Sequence, residues 1–231
     1  MSVIHRLDWD STFFNLNIAK MEVLDGLDFQ QFKNEAKNYD LIYLFSSQQI
    51  IELQSCLYDK KVRYTINKKD ISPLSFGGGA ENRVLEYAVG DNYKELLDLA
   101  FVSGHRSRFF LDERMGVDRF QKLYTKWVDN SINDKHNTQI FVIEDFGKLE
   151  AFVVQKKDEL EMSISLIATK ESSRGKGYGK MLVQKVFSNF LKSDADVLSV
   201  YTQLDNTGAC AFYEKMGFRL ENVKYIYHYW S

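Results

Sequence analysis

The segment that most constrains the fold runs from residue 164 to residue 180 and reads ISLIATKESSRGKGYGK. An alternating pattern typical of a strand leads through a short polar loop to Gly175, Gly177 and Gly179, where a helical pattern begins. Glycine lacks the Cβ atom that would keep a ligand from the backbone, and the first turn of a helix presents unpaired N–H groups. The segment therefore predicts a strand, a loop and a helix that together bind a phosphate group.

The spacing of these glycines excludes two common phosphate loops. A Walker A loop reads G-x-x-x-x-G-K-[ST] and a dinucleotide-binding loop reads G-x-G-x-x-G, whereas the glycines here run G-x-G-x-G. The pattern that does fit is R-x-x-G-x-G, formed by Arg174, Gly177 and Gly179. A second pattern follows after a predicted helix and strand, where residues 206–218 read NTGACAFYEKMGF.

Taken in this order, the two patterns resemble the Gcn5-related N-acetyltransferase (GNAT) superfamily, in which the second segment has the form N-x-x-A-x-x-x-Y-x-x-x-G-F. The resemblance covers about residues 85–231 and is clearest over 160–218. It implies a mixed α/β fold in which helices flank a central mixed sheet. It also implies an N-acetyltransferase that uses acetyl-CoA as co-substrate and needs no metal.

The resemblance also assigns residues to the binding of acetyl-CoA. Backbone amides of the glycine loop would grip the pyrophosphate, and the end of the preceding strand would splay from the next strand and bond the pantetheine arm through its main chain. Without the family, the same residues would also fit a tight turn, solvated lysines and ordinary sheet pairing. The residues that the resemblance places at the co-substrate are Ile167, Thr169, Arg174, Gly175, Lys176, Gly177, Tyr178, Gly179, Lys180 and Asn206.

Tyr213 is the candidate catalytic residue. It follows Asn206 by about two helical turns, so both side chains can face the same side, as do the tyrosine that protonates the thiolate and the asparagine that contacts pantetheine in the family. Attack of an amine on a thioester expels a thiolate, and a phenol with a pKa near 10 can give it a proton. A half-buried aromatic that packs beside Phe212 is the alternative. The identity of the general base stays open, because a water molecule that passes the proton to any of four residues would suffice, namely His105, Glu171, Asp205 or His228.

A basic and aromatic segment at residues 101–112 is the candidate acceptor site. Arginines that fork to phosphates and aromatics that stack on a base or sugar would suit a nucleotide-linked substrate. A solvated basic face over a phenylalanine core is the alternative. The residues singled out here for substrate binding are His105, Arg106, Arg108 and Phe109.

A second, looser resemblance concerns the acceptor. The segments 7–20, 107–112, 123–128 and 202–207 are similar to those of the dTDP-fucosamine acetyltransferases, which acetylate the 4-amino group of a deoxyhexose carried on dTDP. This resemblance implies a nucleotide-activated amino sugar as the small-molecule partner, and an N-terminal α/β region before the acetyltransferase domain. The acceptors that stay open are a protein amine and a polyamine, and a catalytically silent CoA-binding regulator is the alternative to an enzyme.

A cluster of proline and glycine residues predicts that the chain has two parts. Pro73 and a triple glycine lie in the stretch 72–79, where we place a boundary between an N-terminal α/β extension, 1–80, and the acetyltransferase domain, 81–231. Helical spacing occurs at 28–38, 47–58, 92–103, 117–132, 176–192 and 207–216. Strand patterns occur at 41–45, 62–67, 84–89, 140–144, 151–156, 162–169, 197–202 and 224–230.

Charge and composition exclude several classes of function. With 30 basic and 32 acidic residues the net charge is −2, which argues against a nucleic-acid binder. No apolar run reaches the roughly 18–20 residues of a membrane span, and the first residues carry charges rather than a signal peptide. Two distant cysteines and four scattered histidines predict neither a disulfide nor a metal site. We therefore expect a cytoplasmic protein, for which a homodimer is compatible with the sequence.

Overall fold

The computed structural model describes residues 3–24, 26–71, 83–88, 90 and 92–231. In these ranges ten strands form one sheet with the order β1-β2-β3-β10-β4-β9-β8-β7-β6-β5. The strands are β1 (Ile4–Arg6), β2 (Ile18–Val23), β3 (Leu41–Ser46), β4 (Leu57–Asn67), β5 (Val84–Glu86), β6 (Thr138–Asp145), β7 (Lys148–Asp158), β8 (Glu161–Thr169), β9 (Val197–Gln203) and β10 (Arg219–Trp230). The helices are α1 (Asp8–Phe14), α2 (Phe29–Ala36), α3 (Tyr93–Gly104), α4 (Arg108–Leu111), α5 (Gly116–Asn133), α6 (Tyr178–Lys192) and α7 (Thr207–Lys215).

Helices cover both faces of this sheet. On the face that we call the α6 face, α2, α6 and α7 bury strand residues such as Tyr64 and Val200. On the opposite face, which we call the α5 face, α1, α3, α4 and α5 bury Tyr43 and Val154. The mixed α/β fold with a helix-flanked mixed sheet, expected from the sequence, is confirmed.

Strands from the two predicted parts of the chain interleave in the sheet. Strand β4, from the first part, lies between β9 and β10 and pairs antiparallel with both. Strand β10, from the end of the chain, also pairs with β3. The first part therefore contributes strands to the same sheet rather than forming a separate sheet. The division at residue 80 marks the order of the elements along the chain, and as a domain boundary it stays a prediction. The predicted boundary loop around Pro73 lies outside the described residues.

Most predicted elements are present, and one is wrong. The strands predicted at 140–144 and 151–156 are present as β6 and β7, and they form a hairpin whose tight turn holds Phe146 and Gly147 at positive φ angles of 51° and 72°. The predicted helix over 47–58 is instead a 3₁₀ turn, Ile51–Cys56, and the chain is already extended from Leu57. Pairing of β4 with two neighbouring strands outweighs the local helical spacing. Within the described ranges, no helix has the length and apolarity needed to span a bilayer.

Candidate active site

Strands β8 and β9 separate halfway along their length. Their parallel pairing runs from Glu161 opposite Val197 to Ile164 opposite Val200 and goes no further. At the next residue, Ser165, the register of β8 against β7 shifts by one position, which is a β-bulge. A bulge bends its strand and increases the local twist. Beyond the bulge β8 stays with β7 while β9 stays with β4, so a gap opens between β8 and β9, and the predicted splay is confirmed.

The main chain at the end of β8 faces this gap. The amide of Lys170 donates to the carbonyl of Glu150 on the β7 side at 2.8 Å. Because successive residues of a strand direct their N–H and C=O groups to opposite sides, the polar groups of Ile167 and Thr169 point away from β7 and into the gap. This is the orientation that a ligand between the strands requires.

The glycine loop leads from β8 into α6 in a shape that few other residues allow. Gly175 and Gly177 have φ angles of 81° and 84°, and a Cβ atom built at either position would meet no atom within 4 Å. Gly177 caps α6, so the amides of Tyr178, Gly179 and Lys180 begin the helix without partners inside it. The loop from Arg174 to Gly177 is exposed. These open amides at a positive helix end fit the pyrophosphate of a nucleotide co-substrate.

The side chains of the loop differ in what they contact. The Arg174 guanidinium is exposed and lies 3.7 Å from the Glu171 carboxylate, and the Lys176 Nζ donates to the Ser173 hydroxyl at 3.1 Å. In contrast, Tyr178 is buried and its hydroxyl donates to Asp145 at 3.1 Å. Tyr178 therefore anchors the start of α6 with its side chain and offers only its amide to the loop.

Three elements meet beside the gap. A Cβ atom built on Gly179 would lie 3.7 Å from the Phe212 ring and 4.0 Å from the Thr169 hydroxyl. The start of α6, the end of β8 and helix α7 are therefore in contact at this point. The two sequence patterns, although separated along the chain by a helix and a strand, form one site.

Helix α7 positions Asn206 and Tyr213. The Asn206 side chain accepts a hydrogen bond from the amide of Ala209 at 3.4 Å and so caps the helix. Tyr213 is 3% exposed and packs against the rings of Tyr64 and Phe218. Burial, reinforced by the Cys210 thiol, raises the pKa of Tyr213 above its usual value, so the phenol keeps its proton at neutral pH.

The predicted acceptor residues do not form one surface. His105 and Arg106 are exposed, and an Arg106 N–H donates to the Asp205 carbonyl at 3.5 Å. Phe109 is 9% exposed and packs in the core of the α5 face. Arg108 also points inward, since its guanidinium lies 4.1 Å from the centre of the Tyr43 ring. Of the two arginines, Arg106 is therefore the one that is exposed to solvent.

A buried polar cluster holds Arg108. A guanidinium N–H lies 2.9 Å from His228 Nε2, while His228 Nδ1 lies 2.5 Å from the Asp112 carboxylate, which also accepts from Trp230 at 2.9 Å. Arginine only donates, so Nε2 is the acceptor, and the proton of a neutral imidazole is on Nδ1. Burial accordingly lowers the pKa of His228 to about 4, although Asp112 opposes the shift. His228, one of the open candidates for the base, is therefore neutral with both nitrogens engaged.

Sequence reasoning missed Asp112 in this cluster. Asp112 is 1% exposed, yet in the sequence it reads as an ordinary polar residue after a short apolar run. Its partners His228 and Trp230 lie more than a hundred positions away, so no local pattern indicates their contact.

Comparisons with known proteins agree with this geometry. The model of the acetyltransferase (GNAT) family matches residues 107–218. A spore coat polysaccharide biosynthesis protein of Bacillus subtilis, SpsD, is 27% identical over 135 residues, which are 58% of this chain and 46% of that protein. A mycothiol acetyltransferase of Corynebacterium efficiens is 33% identical over 92 residues, which are 39% of this chain and 31% of that protein. The chain thus matches less than half the length of either relative.

Solved structures share the fold. A GCN5-related N-acetyltransferase of Sphaerobacter thermophilus superimposes with a TM-score of 0.60 over 99% of this chain and 76% of its own, at 10% sequence identity. At this identity the likeness concerns the arrangement of the strands and helices.

Proposed function

Residues 107–218 match the model of the acetyltransferase (GNAT) family, and from this premise we propose that the chain is an acetyl-CoA-dependent N-acetyltransferase acting on the amino group of a nucleotide-linked amino-deoxy sugar. The observation that carries the acetyltransferase assignment is the gap between β8 and β9 beside the glycine loop. The gap would take the pantetheine arm between the main chains of the two strands, and the loop would take the pyrophosphate at the start of α6.

Transfer in this site needs a polarised carbonyl and a proton for the leaving sulfur. An amide at the end of β8, near Thr169, would donate to the thioester oxygen as negative charge develops on it. The acceptor amine attacks the carbonyl carbon, the C–N bond forms, and the C–S bond breaks. Tyr213, protonated at neutral pH, gives its proton to the departing thiolate.

The nucleotide-sugar acceptor has separate support. The similarity of residues 7–20 and 107–112 to the dTDP-fucosamine acetyltransferases favours it. So does the relative in Bacillus subtilis, which is named for polysaccharide biosynthesis. Arg106 would meet the diphosphate, because it is exposed and lies next to the loop that follows β9.

Gly177→Glu should weaken acetyl-CoA binding by at least about tenfold, because it puts a side chain and a negative charge where the pyrophosphate would lie and so displaces the phosphate from a charge-assisted contact. Isothermal titration with acetyl-CoA measures this. Gly26→Glu is the matched control, because Gly26 also has a positive φ, 90°, with open space around it. Equal affinity of the folded Gly177 variant and the wild type would exclude the loop from the co-substrate site.

Arg106→Ala should raise KM for a dTDP-linked 4-amino-4,6-dideoxyhexose by roughly 10- to 150-fold, the effect of losing one charge-assisted hydrogen bond to a phosphate. Acetyl-CoA affinity should stay within about twofold, and Arg219→Ala, at another exposed arginine, is the control. Steady-state release of free thiol measures the kinetics, with a UDP-linked sugar, a peptide and a polyamine as rival acceptors. Turnover of only the peptide or polyamine would contradict the sugar-nucleotide assignment, and acetyl-CoA binding without turnover of any amine would indicate a silent regulator.

A further inference from the structure

Strand β4 carries a buried carboxylate that the reaction described above does not use. Asp59 is 6% exposed, and its Oδ1 atom has no hydrogen-bond partner in the part of the chain that the structure describes. A buried polar atom without a partner costs free energy, and a carboxylate oxygen costs more than a neutral group. Such an atom is available to bond a molecule that binds there.

Asp59 lies close to the gap between β8 and β9. Two residues further along β4, Lys61 pairs with Gln203 at the end of β9, which is the stretch of β9 that β8 has left. Side chains alternate between faces along a strand. Because Val62 and Tyr64 pack on the α6 face, Asp59 lies on the α5 face. Asp59 and Tyr213 therefore lie on opposite faces of the sheet.

The charges around Asp59 suit a group that accepts a proton from an amine. Burial raises the pKa of the carboxyl to about 6, also with a contribution from Asp205. Arg108 on α4, Lys61 on the same strand and a hydrogen bond from Gln203 oppose that shift. An ammonium group that reached this carboxylate would also face Arg108 and Lys61, and like charges lower the pKa of an amine. The carboxylate attracts the ammonium group while Arg108 and Lys61 oppose its charge, and loss of one proton to Asp59 leaves the neutral amine, which is the nucleophile.

A second unpaired group lies beside Arg108. The Tyr43 hydroxyl is buried and, like Asp59 Oδ1, has no hydrogen-bond partner among the described residues. The Arg108 guanidinium lies over the Tyr43 ring and is the foremost charge opposing the raised pKa of Asp59. His228 and Asp112 hold Arg108 in this position. Two unsatisfied polar groups around one fixed cation are consistent with a polar ligand on the α5 face.

We propose that Asp59 is the catalytic base of the acetyl transfer and that it binds the acceptor's amino group through Oδ1. The inference rests on the proposed function. Asp59 takes one proton from the ammonium group and later releases it to solvent, while the nitrogen lone pair forms the C–N bond. As the C–S bond breaks, Tyr213 protonates the sulfur and regains the second proton lost by the nitrogen. The products are the amide, the free thiol of CoA and one proton in solution.

The test is the pH profile of Asp59→Asn, with Asp70→Asn as the control that removes an exposed carboxylate just after the same strand. With a dTDP-linked 4-amino-4,6-dideoxyhexose as acceptor, kcat/KM of Asp59→Asn at pH 7 should fall by about 10²-fold. The rise of kcat/KM with pH near pH 6, which ionisation of Asp59 should give the wild type, should disappear in the variant. Its activity should partly return at high pH, where the amine loses its proton unaided. Acetyl-CoA affinity should not change.

Asp59→Asn should fold, and above pH 6 it should melt at a higher temperature than the wild type. The raised pKa means that folding favours the protonated carboxyl, so ionisation above pH 6 costs stability, and Asn removes that cost. A variant that keeps both wild-type kcat/KM and the limb near pH 6 would overturn the base assignment and leave the proposed function standing. If the wild-type chain acetylates neither the dTDP- or UDP-linked sugar nor the peptide or the polyamine, the proposed function fails and the base assignment fails with it.

Discussion

Tyr213→Phe should lower kcat by about 10²–10⁴ while acetyl-CoA affinity stays nearly unchanged, because the substitution removes a proton donor and keeps the ring. The ring of Tyr213 is buried between Tyr64 and Phe218, and phenylalanine makes the same contacts. The pKa of the phenol is raised by burial, so the proton is present throughout the neutral pH range. Loss of turnover would therefore reflect chemistry rather than a change of ionisation.

Steady-state kinetics at saturating acetyl-CoA measure this effect, and titration of acetyl-CoA measures affinity. Tyr64→Phe is the matched control, because Tyr64 packs against Tyr213 and its hydroxyl donates to Glu214 at 2.7 Å on the same face of the sheet. A similar loss of kcat in both variants would indicate that packing matters and not the phenol. Near-normal kcat of Tyr213→Phe would make Tyr213 a structural aromatic.

Asp112→Ala should lower the free energy of unfolding by about 3–5 kcal/mol, the usual cost of removing one partner from a buried charged network. The carboxylate accepts from His228 Nδ1, from Trp230 Nε1 and from the amide of Arg114. Alanine leaves these donors buried without an acceptor. It also removes the negative charge that belongs to the cluster holding Arg108.

Urea unfolding followed by tryptophan fluorescence measures this loss, and Glu113→Ala is the control at the neighbouring exposed carboxylate. We expect the control to change the free energy of unfolding by no more than about 0.5 kcal/mol. A change of the same small size for Asp112→Ala would show that water replaces the lost acceptor. If Asp112→Ala folds, its kcat/KM should also fall, because Arg108 would no longer be fixed beside Asp59.

The proposed base and the cluster around Arg108 illustrate opposite uses of burial. Asp112 is buried with hydrogen bonds to both carboxylate oxygens. Burial raises its pKa, but its contacts with His228, Trp230 and the amide of Arg114 together outweigh burial, so the pKa is lowered. Asp59 is buried with one oxygen unsatisfied, and its pKa is raised. The first arrangement stabilises the fold. The second costs stability, which is common at functional sites.

The sequence by itself determined the local units of the site. The strand, glycine loop and helix of residues 164–180 follow from hydrophobic period and from glycines that permit positive φ, and both depend only on neighbouring residues. The helix with Asn206 at its cap and Tyr213 on its buried side is similarly local. Local patterns also predicted most strands, because alternation reports which face of a sheet is buried.

Tertiary structure alone decided which residues face one another. The placement of β4 between β9 and β10 brings Asp59 just beyond the end of β9, whose last residues have parted from β8, although these segments lie far apart in the sequence. The same folding turns Arg108 inward against His228 and leaves its near neighbour Arg106 in solvent. Burial and hydrogen bonding across the sheet depend on strand order and register, and nothing within a single segment encodes the position of its distant partner.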